Sequence, residues 1–230
     1  QPIDNLERLA SMSDEQQRRQ LDLLASFNRE HQQRTDNDAE LATRIESFEL
    51  AYRMQMAAPE ALDVESEPEH IKKLYGLDNE KCSHFAKQCL VARRMVERGV
   101  RFIQIYSGGE ENEKSWDGHL NIEQNHRGFA GETDQPIAGL LADLKQRGLF
   151  DSTLVVWGGE FGRPGLKPGE DKDQTGHQHR AFTFWMAGGG AKAGHVHGST
   201  NETGETPVDG KVHFRDLHAI QSLRQGAGVA

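Results

Sequence analysis

The two strongest apolar runs in this chain are short, and that limits what it can fold into. "TLVVWGG" starts at Thr153 and "AFTFWMAGG" at Ala181. Both are rich in β-branched and aromatic residues and both end in glycines, which reads as strands a few residues long rather than helices. Leu154, Val155, Val156 and Trp157 form the first, predicted as a buried strand. Gly158 and Gly159 then let the backbone turn or approach a neighbour closely. Glu160, Phe161, Gly162 and Arg163 follow. In open α/β sheets that carboxyl edge is where ligands bind, so Glu160 is either a site residue or a solvated loop carboxylate.

The surrounding periodicity is helical. Ser13 is placed to cap a polar helix carrying Leu21, Leu24 and Phe27 as a narrow stripe. Leu41, Ile45, Phe48 and Tyr52 define an amphipathic helix expected to stop near Pro59, and "HIKKLYG" a short one ending at Gly76. A helix over 82–98 should end at Gly99. The segment "VRFIQIY" follows as a strand, and a helix over 119–148 carries Ile137, Leu140, Leu141 and Leu144. Pro136 either interrupts that helix or starts its second half. Helix–strand alternation of this kind predicts an α/β fold with a mostly parallel sheet flanked by helices, behind a helical N-terminal region. The expected division is a helical region over 1–78, packed on an α/β domain over 79–230. A partner-binding helical hairpin is the other reading of the N-terminal part.

Charge and composition exclude several functions. Lys and Arg number 27 against 36 Asp and Glu, a net charge of -9. That is the wrong sign for a surface that neutralises nucleic-acid phosphates. No stretch reaches the roughly 18–20 apolar residues of a membrane span. Only 35% of residues are hydrophobic, so part of the chain is exposed helix or lacks a partner surface. Residues 1–30 show no secretion signal, and the first residue is Gln, as expected of a processed or partial chain. Cys82 and Cys89 are seven apart on one helix. Their Cα atoms would stand about 10 Å apart, too far for a disulfide, so they read as buried thiols.

Three loops beside strands carry the chemistry: Trp116-Asp117-Gly118-His119, Glu160 with Arg163, and "TGHQHR" with His177 and His179. Carboxylates and imidazoles together suit a divalent ion such as zinc, manganese or iron. In a parallel sheet such loops converge at one edge. His195 and His197 read as structural and His126 as solvated.

"WDGH", "LVVWGGEFGR", "HRAFTFWMAGGGAKAGHVHG" and "VHFRDLHA" resemble successive motifs of DUF1501, an uncharacterised bacterial family often labelled sulfatase-like and placed in the alkaline phosphatase superfamily. The resemblance implies a parallel-sheet fold and metal-dependent hydrolysis of sulfate or phosphate esters, including those of sulfated or phosphorylated glycans. It implies a divalent metal (zinc, manganese, iron or calcium, not distinguished) on Asp117, His119, Glu160 and His177. Arg163 is the implied contact to the anion. His213, Asp216 and His218 are implied to orient ligands, or to be structural. It also implies secretion or a periplasmic location. Two motifs depart from the family: Pro164 directly follows Arg163, and "QTGHQH" lacks the usual aspartate beside its histidine. The superfamily's Ser or Thr nucleophile falls in a segment expected to be missing, so no nucleophile is assigned and this chain is expected to be inactive. The alternative function is a non-catalytic secreted binding or scaffold protein.

Overall fold

A computed structural model describes residues 12–34, 39–109, 114–164 and 175–219. The chain forms two compact units, Gln1–Glu65 and Ser66–Ala230. In the first, helix α1 spans Asp14–Arg34 and α2 spans Ala39–Leu62. Ser13 caps α1 as its residue type predicts. Its Oγ accepts from the Gln16 backbone at 3.2 Å, and Gln16 Oε1 accepts from the Ser13 N–H at 2.8 Å, a reciprocal capping box. The stripes are less buried than their spacing suggests: Leu24 and Phe27 are more than half exposed and Phe48 more so. The Leu41 side chain lies outside the described residues. Helix α2 stops close to Pro59 as expected, ending at Leu62 with Pro59 inside its last turn, where the Asp63 N–H reaches the Pro59 carbonyl.

The second unit has its core where α3 (Glu69–Tyr75), α4 (Ser83–Glu97) and α5 (Ile122–Gln146) pack together. Ile71, Tyr75, Ala86, Cys89, Leu90, Leu140 and Leu144 are buried there. Gly76, Gly99 and Gly148 all have positive φ where the three helices end. After α4, Gly99 N donates to Val96 O and Val100 N to Met95 O, a Schellman closure repeated after α5 by Gly148 and Leu149. Pro136 neither breaks nor starts α5; it sits buried within one continuous helix. Both thiols are buried and unbridged, and burial pushes Cys89 up to about 12.

A charged cluster runs through this core. The Arg93 guanidinium, with its side chain 2% exposed, lies 2.7 Å from Glu67, 2.6 Å from Glu97 and 2.9 Å from Asp143. The Nε and Nη2 contacts are ion-pair distances without well-directed hydrogen bonds, whereas Nη1 donates to Glu97. Arg94 also pairs with Glu67, and Arg147 with Glu97 and Asp143 at 2.6 and 2.7 Å. Tyr75 donates its hydroxyl to Asp143 at 3.0 Å. Three guanidinium groups face three carboxylates, so the cluster is neutral.

The sheet departs from expectation. Strand β1 (Leu154–Gly158) pairs antiparallel with β2 (Phe184–Gly188), and β3 (Ser199–Thr200) pairs antiparallel with β4 (Pro207–Asp209). Among the described residues there is no parallel sheet, and the described structure as a whole is mostly helical. The expected alkaline-phosphatase-like α/β architecture is therefore wrong. Parallel neighbours need a crossover connection, usually a helix, and none is described between β1 and β2. "VRFIQIY" joins no ladder among the described residues, and Phe102 and Tyr106 are exposed. Nor is β1 buried: it is half-buried at first, and Trp157 is 40% exposed, stacked on its cross-strand partner Trp185. Gly158 faces Phe184, whose ring occupies the space a side chain would need.

Candidate metal centre

The antiparallel return that replaced the parallel sheet builds the site. Beyond Gly158 the ladder is interrupted, then resumes as a single pair, Gly162 with Gln178. Gly162 N donates to Gln178 O at 2.8 Å and Gln178 N to Gly162 O at 2.9 Å. A side chain at 162 would strike the Ala181 carbonyl, so glycine is required there. In this register Arg163 comes opposite His177. Phe161, one residue before the pair, stacks on the His177 ring at 4.9 Å.

Asp117 and His119 arrive from the segment before α5. Trp116 anchors it: its ring packs 5.8 Å from His126 and 5.5 Å from Phe129 of α5, and 6.2 Å from Trp157 of β1. Its Nε1 donates to Ser107 Oγ. Asn125 Nδ2 donates to Ser115 O, and Gly118 lies where a Cβ would come 2.6 Å from the Asn125 side chain. His119 Nδ1 is 2.9 Å from Thr175 O, and Thr175 N donates to His119 O at 3.2 Å. A carbonyl only accepts, so Nδ1 carries the proton and Nε2 presents its lone pair. That outer contact is the usual one for a metal-ligating histidine.

Asp117, His119 and His177 thus converge, with one potential ligand atom from each within 4.8 Å of the others. Asp117 Oδ1 is the hub: His177 Nε2 lies at 2.5 Å, His119 Nε2 at 3.4 Å and Arg163 Nη2 at 3.4 Å. With metal–ligand bonds near 2.1 Å, tetrahedral ligands stand about 3.4 Å apart. The Asp117–His119 separation meets that value, and the Asp117–His177 pair would open by about 1 Å. Two imidazoles and a carboxylate suit zinc, iron or manganese, and suit calcium poorly because it prefers all-oxygen shells. The His177 hydrogen bond holds the Asp117 carboxyl below its ordinary value against a smaller opposing effect of burial, helped by the nearby His119 and Arg163.

The other expected site residues stand apart. Glu160 is exposed and is not among the three converging groups. Arg163 contacts the hub loosely, reaching Trp116 O at 3.3 Å and Gly176 O at 3.4 Å as well as Asp117. His179 does not join the group. His213 and Asp216 close on each other locally, with the His213 N–H donating to Asp216 Oδ2 at 2.8 Å, and both are exposed. His126 is not solvated but half-buried against Trp116. Gln178 and Thr175, which the sequence reading did not single out, hold the two histidines. Their only sequence signal was adjacency to His177.

Residues 1–226 match the family described as protein of unknown function, DUF1501. The chain belongs to the DUF1501 family. That match covers nearly the whole chain and carries no link to the alkaline phosphatase superfamily. No curated protein and no solved structure matches it. For this DUF1501 protein, the chemistry of Asp117, His119 and His177 is therefore argued from their geometry. No helix among the described residues is long and apolar enough to cross a membrane.

Proposed function

We propose that this chain binds a divalent cation through Asp117, His119 and His177, and that the site serves hydrolysis of sulfate or phosphate esters. The observation that carries the reading is the convergence of two imidazoles and a carboxylate on Asp117 Oδ1, with the His119 tautomer already set by Thr175. A bound cation supplies a Lewis acid for the ester's oxygen. Asp117, kept ionised by its neighbours, offsets part of the cation's charge. Arg163 has only long contacts to exchange, so its planar fork is free to turn toward two oxygens of an anionic substrate. Glu160, exposed on the bend before Gly162, is an additional carboxylate in the same stretch as Arg163. The motif resemblance supports ester hydrolysis, glycan esters included, and a secreted or periplasmic location.

His177 Nε2 donates to Asp117 here, so cation binding through that nitrogen requires its proton to leave it, passing to Nδ1 in the neutral ring. Calorimetric titration with zinc, manganese and ferrous iron tests the site. Wild type should bind, and His177→Ala should weaken binding at least about tenfold. Glu160→Gln should weaken it less. Equal affinity in wild type and His177→Ala would remove His177 from the site. Chelator-sensitive turnover of an aryl sulfate or aryl phosphate supports the hydrolase. Cation binding without turnover, in a protein carrying every segment of the family, supports a binding or scaffold role.

A further inference from the structure

We infer that Gln178 is the positioning residue of the cation site, fixing His177 through a tie to the turn at 201–206; this rests on the cation reading above. Gln178 is 8% exposed, and a buried amide must have its donors and acceptors matched. Its Nε2 donates to the Glu205 carbonyl at 2.7 Å, and its Oε1 accepts from the Arg180 N–H at 2.9 Å. The backbone of the same residue exchanges both hydrogen bonds with Gly162. Gln178 is therefore held on both main chain and side chain, and along an extended segment its neighbour His177 projects to the opposite face. The Glu205 carbonyl is itself fixed. Asn201 Oδ1 accepts from the Glu205 and Thr206 N–H groups at 2.8 and 3.1 Å, while Asn201 N donates to Thr206 O at 3.0 Å. The chain of constraint runs from Asn201 to Glu205, to Gln178, to His177. Among the described residues no other side chain hydrogen-bonds His177 except Asp117, whose own position comes from a different segment. Without the Gln178 amide, the His177 segment would keep its backbone pair with Gly162 and its Thr175–His119 bonds but lose its tie to the turn at 201–206.

The test is Gln178→Met, which keeps length and apolar stem but removes both amide hydrogen bonds. Two measurements accompany its unfolding midpoint. One is manganese and zinc affinity well below that midpoint, expected to fall about tenfold. The other is the downfield proton resonance of the His177–Asp117 hydrogen bond in cation-free protein, assigned by its loss in His177→Ala and expected to vanish or broaden. A merely structural glutamine would lower the midpoint and leave both unchanged, which would overturn the inference. Should Gln178→Met fail to fold, Asn201→Ala takes its place, because it loosens the Glu205 carbonyl while leaving Gln178 intact. It should move both readouts in the same direction, and no movement overturns the inference. A wild-type protein that binds no cation removes the proposed function, while the proton resonance still decides the role of Gln178.

Discussion

Asp117 gathers three potential positive partners on one oxygen, yet it is only partly buried. Its charge is thus shaped by specific neighbours more than by dehydration, with the His177 hydrogen bond the largest influence. Carbon-detected NMR titration should place the Asp117 midpoint below the ordinary 3.8, and His177→Ala should move it back upward. The sign follows because a donor to the carboxylate favours its charged form, and removing that donor removes the preference. An unchanged midpoint in His177→Ala would show that the pair does not form in solution. At this scale the sequence exposed the candidates, since Asp117, His119 and His177 are the residue types a metal needs. It did not expose Thr175 or Gln178. Their roles depend on a carbonyl and an amide meeting partners 56 and 27 residues away, and no residue type announces such a contact.

Helix α5 shows how an element reads well at its ends and poorly in its middle. Its closing glycine follows a local rule, but Pro136 was expected to break or start a helix and does neither. Pro136 is buried, and the tertiary packing around it sustains a helix that its missing N–H weakens. Gly139 sits where α5 crosses α3: a Cβ there would come 2.8 Å from Leu74 O and 3.0 Å from Tyr75 Cα, both backbone atoms. Gly139→Ala should therefore destabilise by about 1–3 kcal/mol through overpacking. Gly128→Ala, in the same helix with open space around its Cβ, should instead stabilise by about 0.5–1 kcal/mol. Urea denaturation of the two variants checks the pair, and a stabilised Gly139→Ala would show that α3 and α5 do not cross so closely.

The whole second unit is organised as much by charge as by apolar packing. Burial alone would raise the Glu67 carboxyl, but the Arg93 and Arg94 guanidinium groups paired with it outweigh that and hold the group below its ordinary value. A depressed carboxylate contributes stability above its unfolded value, near 4.5, and that contribution is lost as pH falls through the lower folded value. Acid unfolding should begin in that window. Glu67→Gln should flatten the pH dependence there and cost about 3–5 kcal/mol at neutral pH, because it leaves Arg93 and Arg94 short of a counter-charge in the interior. Urea midpoints from pH 7 to pH 3 measure both effects. A variant as stable as wild type with the same acid limb would mean the cluster is hydrated rather than sealed.

What the sequence determined alone is whatever a few neighbouring residues decide. The Ser13 cap, the glycine endings of α3, α4 and α5, and the buried unbridged thiols follow from rules acting within one or two turns. So does the existence of strands at 154–158 and 184–188. Strand direction was not local. It depends on how the chain brings β2 to β1, and the two pair antiparallel. The candidate metal centre inherits that result: His177 reaches Asp117 through the Gly162–Gln178 antiparallel pair, not from the edge of a parallel sheet. The buried cluster was equally hidden. The spacings Arg93–Glu97 and Asp143–Arg147 read as ordinary pairs on a solvated helix face, each worth little. Packing α4 against α5 and bringing in Glu67 removed water from Arg93, Arg94, Glu67 and Asp143, while Arg147 and Glu97 stay partly exposed, and that dehydration makes the inner pairing decisive.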